Sequence, residues 1–202
     1  MNFLAHAYLA RYSDEAMLGA LLGDFAKADM LGLYPPTVVL EIMLHRQVDS
    51  YTDSHPVVLA GKALFAPERR RYAGIVLDVF YDHLLAANWP RYSDEALDDF
   101  TRRFYRALAQ HHATLPPRLQ AIAPSIIAHD WLGSYRSMDN TAHAIGRIAG
   151  RLSRNGDLLR DGVLDLHAHY DALAAGFAVF FPELIRFVEE KRAALLRDMA
   201  PA

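Results

Sequence analysis

The chain contains no cysteine. That excludes disulfides and thiolate metal ligands, and suits a protein of the reducing cytoplasm. No uninterrupted apolar run reaches the roughly 18 residues a membrane-spanning helix needs. The start, Met1-Asn2-Phe3-Leu4-Ala5-His6, has no basic residue ahead of a long apolar stretch, so no secretory signal is expected. Alternating strand patterns bounded by turn dipeptides are missing, which argues against a sheet. A positive excess is missing too. With 21 Lys and Arg against 24 Asp and Glu, the net charge of −3 argues against a general nucleic-acid binder. There is no internal repeat, linker or low-complexity tract.

What remains is a globular composition, 52% hydrophobic and 22% charged, in 202 residues. That length can bury one sizeable core, so residues 1–202 read as a single domain. Helix signals fill it. Ser13-Asp14-Glu15 reads as a capped helix start, and Gly23-Asp24-Phe25 ends that segment. Pro35-Pro36 breaks the chain before a helix from Thr37 to about Ser54. His55-Pro56 opens a short helix, and Arg69 to about Asn88 forms a long apolar one. Ser93-Asp94-Glu95 reads as another cap, opening a helix to about His112. Further helices are expected near 117–129, 138–153, 158–180 and 182–199, punctuated by prolines. The fold class is all-α, a bundle of about eight helices.

Ten histidines are many for this length. Two stretches concentrate them with carboxylates: His45 to Pro56, carrying Asp49, Asp53 and His55, and Asp78 to His83, carrying Asp82. Residues four apart share a helix face, so His45, Asp49 and Asp53 form one stripe and Asp78 and Asp82 another. A lone acid at helical spacing is ordinarily a solvated face or a cap. Here the neighbours are apolar (Val39, Leu40, Ile42, Met43 and Leu44; Ile75, Val76, Leu77, Val79 and Phe80), and desolvating an unpaired carboxylate is costly. A structural ion-pair network would need cations, and these motifs hold only Arg46. The acid surplus favours a divalent metal held between two helices. His, Asp and water donors without thiolates suit Mn²⁺, Fe²⁺ or Mg²⁺ rather than structural zinc. Such an ion acidifies water and stabilises phosphoryl charge, so phosphoester hydrolysis is the expected reaction class. Asp49 or Asp53 can orient a ligand histidine. His83 lies off the Asp78 direction and is expected as a ligand from another angle or as a general acid.

Other residues receive plainer readings. In the His129-Asp130 dyad, Asp130 reads as a helix cap; His111-His112 closes a helix. His143, His167 and His169 read as surface or packing residues. Tyr8, Phe80, Tyr81, Trp89 and Trp131 read as core or pocket wall.

Several motifs occur in a telling order: Asn2-Phe3-Leu4-Ala5-His6, Gly23-Asp24-Phe25, His45-Arg46-x-x-Asp49-x-x-Thr52-Asp53-x-His55-Pro56 and Gly74-Ile75-x-x-Asp78-x-x-x-Asp82-His83. With Trp89, Asp130-Trp131-Leu132 and Tyr135, they resemble the acyl carrier protein phosphodiesterase family, a divergent branch of the HD-type metal-dependent phosphohydrolases. The resemblance is strong over residues 1 to about 135 and weak beyond. It implies a helical, Mn²⁺-dependent cytoplasmic enzyme (Mg²⁺ or Fe²⁺ being alternatives) acting on holo-acyl carrier protein of fatty-acid biosynthesis. A metal-activated water would cut the phosphodiester between the carrier serine and 4′-phosphopantetheine. Carried over, the family pattern implies Asp24, His45, Asp78 and Asp82 as metal ligands, and His6, Asp49 and His83 as catalytic residues. Asp53 and His55 would stand behind them. Ala20 and Ala28 depart from the Asn and Gly expected around the Gly-Asp motif. Because carriers are acidic, Arg69-Arg70-Arg71 is the expected docking patch, with Arg102-Arg103 and Arg147/Arg151/Arg154 as alternatives. Rival readings are an HD-type hydrolase of a small nucleotide or phosphate ester, and a non-catalytic helical binding protein.

Overall fold

The computed structural model describes residues 1–199, which form twelve α-helices and no strand. They are α1 (Phe3–Leu9), α2 (Asp14–Leu22), α3 (Pro36–Ser54), α4 (Pro56–Ala63), α5 (Ala73–Ala87) and α6 (Leu97–Gln110). These are followed by α7 (Pro117–Ala128), α8 (Trp131–Ser134), α9 (Met138–Ala149), α10 (Gly156–Arg160), α11 (Gly162–Ala168) and α12 (Tyr170–Met199). The count exceeds the expected eight because α1, α8, α10 and α11 are each seven residues or shorter. Such helices carry too few periodic residues to stand out in a sequence, and packing sustains them.

Helix α5 is apolar almost all round, with Val76, Leu77, Val79, Phe80, Tyr81, Leu84 and Leu85 all buried. A helix of that kind belongs at the centre. It contacts α1, α4, α9, α11 and α12. Helix α3 lies between α2 and α12. Its approach to α2 is close: a Cβ on Gly19 would stand 2.6 Å from the Val38 carbonyl oxygen, and one on Gly23 would stand 2.1 Å from Cγ of His45. Only glycine at these two positions lets α3 and its histidine reach that surface. On the far side, Arg192 of α12 donates to Glu41 of α3 at 2.6 Å and to the Leu9 carbonyl at 2.7 Å. The buried ion-pair network weighed from sequence therefore exists, but at Glu41.

One proline expectation fails instructively. Pro182 does not divide 158–180 from 182–199; it lies inside α12. Phe180, Phe181 and Leu184 are fully buried there, while Pro182 and Ala178, whose carbonyl loses its partner, face solvent. Chain breaks fall instead within 158–180, between α10, α11 and α12. Pro124 likewise sits inside α7, and the Gln120 carbonyl it frees accepts from His112 Nε2 at 3.1 Å. Ser13 caps α2 as expected, accepting from Ala16. Ser93 does not cap α6, which starts at Leu97; its hydroxyl accepts from the Glu95 N–H instead.

Candidate metal centre

Helix α1 organises the site. It is too short to be stable alone, and its first turn lacks a side-chain cap of its own. The fully buried carboxylate of Asp82 on α5 supplies one from outside, accepting from Leu4 N–H at 2.8 Å and Ala5 N–H at 2.9 Å. These bonds fix α1 in rotation and so aim His6, one residue on, toward α3.

On α3 the i, i+4 pair expected from the sequence forms: His45 Nε2 lies 3.2 Å from Asp49 Oδ2. His6 Nε2 lies 3.1 Å from Asp49 Oδ1. The two imidazoles stack with centroids 3.8 Å apart and planes 15° off parallel. Asp24, in the turn after α2, places Oδ1 3.5 Å from His45 Nε2. The ligand atoms of His6, His45 and Asp49 all lie within 4.8 Å of one another. Two separate helices and a turn thus bring two imidazoles and two carboxylates to one point.

The protonation of His45 follows from its neighbours. Its Nδ1 is 2.7 Å from the Ala20 carbonyl, which can only accept, so Nδ1 carries the hydrogen. In the neutral ring the Nε2 lone pair then faces Asp24 and Asp49. This is how metal-binding histidines are oriented: the outer nitrogen is tied to a carbonyl and the inner one left free. Burial alone would depress the His45 pKa; its bonds to Asp24 and Asp49 outweigh that and hold it up at about 9. Burial, with His45 beside it, pushes His6 down to about 4. Asp49 is held well below the usual carboxylate range, the two histidines overcoming its desolvation. The cluster concentrates charge that a cation would neutralise, and its mixed imidazole and carboxylate donors fit a borderline divalent ion.

A cation already marks the adjoining spot. The buried ammonium of Met1 lies 3.0 Å from Asp78 Oδ1 and 3.4 Å from Asp49 Oδ1. Asp78, which the resemblance implied as a ligand, thereby borders the group formed by His6, His45 and Asp49.

Four expected members have other employment. Asp82 has each oxygen accepting from a backbone N–H, so it serves as a cap, and it lies outside the group formed by His6, His45 and Asp49. His83 points Nδ1 at the Tyr135 carbonyl, 2.8 Å away, and Nε2 at the Tyr170 hydroxyl, 3.0 Å away. With Nδ1–H donating, Nε2 accepts, and neither nitrogen is left for an acid's work. Asp53 pairs with Lys62 at 2.7 Å on the surface, and His55 caps α4 while its Nε2 meets Glu183 at 2.9 Å. The docking patch is changed as well. Arg69 is bound to Asp165 by two bonds of 2.7 and 3.0 Å, and Arg70 donates to the Ala63 and Phe65 carbonyls. Arg71 folds over Tyr72. Asp130 caps α8 as expected, in a left-handed conformation, so the literal His129-Asp130 dyad is structural. Sequence reasoning missed the spacing role of Gly23 and the Met1 ammonium. The former was within reach, because Gly23 adjoins a candidate acid.

A family profile described as acyl carrier protein phosphodiesterase matches residues 1–184. Among relatives named acyl carrier protein phosphodiesterase, one from Enterobacter sp. (strain 638) is 38% identical over 193 residues, covering 95% of this chain and 100% of the relative. One from Klebsiella pneumoniae (strain 342) is 36% identical with the same coverage, and one from Salmonella agona is 39% identical over 92% of this chain and 96% of its own length. No solved structure matches significantly.

Proposed function

The chain belongs to the acyl carrier protein phosphodiesterase family, and on that premise we propose that it removes 4′-phosphopantetheine from holo-acyl carrier protein. The observation that carries the reading is the convergence of His6, His45 and Asp49 from α1 and α3, with His45 oriented by the Ala20 carbonyl. The ion proposed for it is Mn²⁺, with Mg²⁺ or Fe²⁺ as alternatives, held by His6, His45, Asp49 and Asp24. A divalent ion at this point supplies phosphoryl charge neutralisation and a more acidic water.

The protein's own groups set the geometry. His45 is locked by its outer nitrogen, and His6 by the capped start of α1. Asp24, the more accessible acid, stands at the edge of a cleft, where its outer oxygen can orient the attacking water. In the overall reaction water oxygen bonds to phosphorus and the bond to the serine oxygen breaks. That oxygen leaves with a proton, giving apo carrier and free 4′-phosphopantetheine. The partner is the acidic holo carrier; neither nucleic acid nor a membrane is required, and the protein is placed with its carrier in the cytoplasm.

The test is the mass of purified holo carrier after incubation with the protein and Mn²⁺. Loss of the prosthetic group, blocked by chelator and by Asp24→Ala in a folded protein, is the expected result. An unchanged carrier with Mn²⁺, Mg²⁺ and Fe²⁺, alongside turnover of nucleotides, would transfer the site to a small phosphate ester. No metal-dependent rise in Tm and no turnover of either would leave a binding protein.

A further inference from the structure

Beside Asp24 opens a cleft of about 220 Å³ whose opposite wall comes from α7, α8 and α9. Three arginines line it: Arg118, Arg147 and Arg151. Arg147 lies over the Trp131 ring with its guanidinium carbon 4.8 Å from the centroid, and Arg118 lies over Phe25 at 5.5 Å. Ion pairs among the described residues use Arg69, Arg102, Arg103, Arg136, Arg160 and Arg192, and none of these three. Stacking fixes the plane of a guanidinium while leaving its N–H edge free, the arrangement that suits phosphate oxygens. Two stacked aromatic faces beside these edges add an apolar wall. A ligand matching the whole cleft is an anion of phosphate type attached to an uncharged, partly apolar chain.

We propose that this cleft binds the 4′-phosphopantetheine group itself, its phosphate on the guanidinium edges of Arg118, Arg147 and Arg151. Its chain runs against Phe25 and Trp131. The assignment of this ligand rests on the reading given under the proposed function. The volume lies below the range usual for drug-sized ligands, so the cleft takes the phosphate end of the arm and leaves the thiol end outside. It follows that the released product is itself a ligand. It also follows that the arginines act on the prosthetic group and not only on the acidic surface of the carrier.

The test is direct binding, followed by intrinsic tryptophan fluorescence, of 4′-phosphopantetheine, pantetheine and inorganic phosphate to the full chain. 4′-Phosphopantetheine is expected to bind at least about tenfold more tightly than either fragment, since pantetheine lacks the charge-assisted bonds to the arginines and inorganic phosphate lacks the contact with the aromatic wall. Arg147→Gln and Arg118→Gln should each weaken it about tenfold or more without changing the Tm, while Arg102→Gln on exposed α6 leaves it unchanged. Turnover of holo carrier is measured in parallel. Equal affinity for pantetheine, or variants that raise KM for holo carrier while binding the free product normally, would overturn the proposal in favour of carrier docking alone. Tight, arginine-dependent binding without turnover would retain the cleft and reject the enzymatic reading.

Discussion

Asp49 and Asp82 both reach helix α1, from α3 and α5, and are used in opposite ways. Asp82 is enclosed, and each of its oxygens receives a backbone N–H that nothing else could satisfy. Asp49 is half-exposed, and its partners are ionisable: two imidazoles and an ammonium. A carboxylate whose partners are backbone amides holds the chain in shape, because the amides cannot leave. One whose partners titrate can exchange them for a metal ion. Sequence neighbourhood does not separate the two cases, since both acids sit four residues from another candidate on an apolar helix.

Asp49→Ala offers the largest test of that difference. Catalytic turnover should fall by at least about 10³-fold, because the group joining both histidines is gone. Stability of the metal-free protein should fall as well, because the carboxylate that His6 and His45 hold low contributes to folding at pH 7. Mn²⁺ at about 100 times its Kd adds about 2.7 kcal/mol to the wild type. It should add nothing to this variant, as calorimetry with and without metal will report. A full Mn²⁺ stabilisation of Asp49→Ala would remove Asp49 from the centre.

Asp82→Ala should cost stability too but leave the metal response intact. Two buried N–H groups lose their only acceptor, at about 1–3 kcal/mol each before relaxation. A loss near 3 kcal/mol lowers the Tm by roughly 6–12 °C in a chain of this size. The folded fraction should still gain stability from Mn²⁺. Failure of that gain would return Asp82 to the ligand set.

Gly23→Ala probes the centre without touching a ligand. The added methyl would sit 2.1 Å from Cγ of His45, so the ring must leave the Ala20 carbonyl that fixes it. Losing such an orienting partner typically weakens metal binding about 10- to 100-fold. Titration of the variant with Mn²⁺ checks this, and an unchanged Kd would mean that the outer bond of His45 contributes nothing.

These contrasts show what could be read before the fold was known. The His45/Asp49 pair was legible because helical spacing alone puts them on one face. The all-α class was legible because apolar periodicity is local. The meeting of α1, the α2 turn and α3 was not, since it depends on Gly19 and Gly23 permitting a close crossing. The hydrogen bonds of Asp82 and His83 were not legible either, for one reason. Their partners, the N–H groups of Leu4 and Ala5 and the oxygens of Tyr135 and Tyr170, are far away in sequence or belong to the backbone. The arginine clusters reversed roles similarly: the consecutive run at 69–71 is tied down, while residues from two helices gather at the cleft.

The smallest expected effect concerns that first cluster and is a matter of pH. Burial would raise the Asp165 carboxyl, but Arg69 and the Ala66 N–H outweigh it and hold it below 3.8. The unfolded chain therefore takes up this proton first as pH falls. The stabilisation from Asp165 is present in full above 3.8 and disappears as pH drops through the lower folded value. Asp82 has the other sign: burial lifts it to about 7, so the cost of its ionisation grows as pH rises from 3.8 to about 7 and persists above that. Asp165→Asn should accordingly melt below the wild type at pH 7, with the gap closing under acid conditions. A gap that stays constant from pH 7 to well below 3.8 would show that the charge on Asp165 does not hold Arg69, and would free Arg69 for the docking role that the sequence suggested.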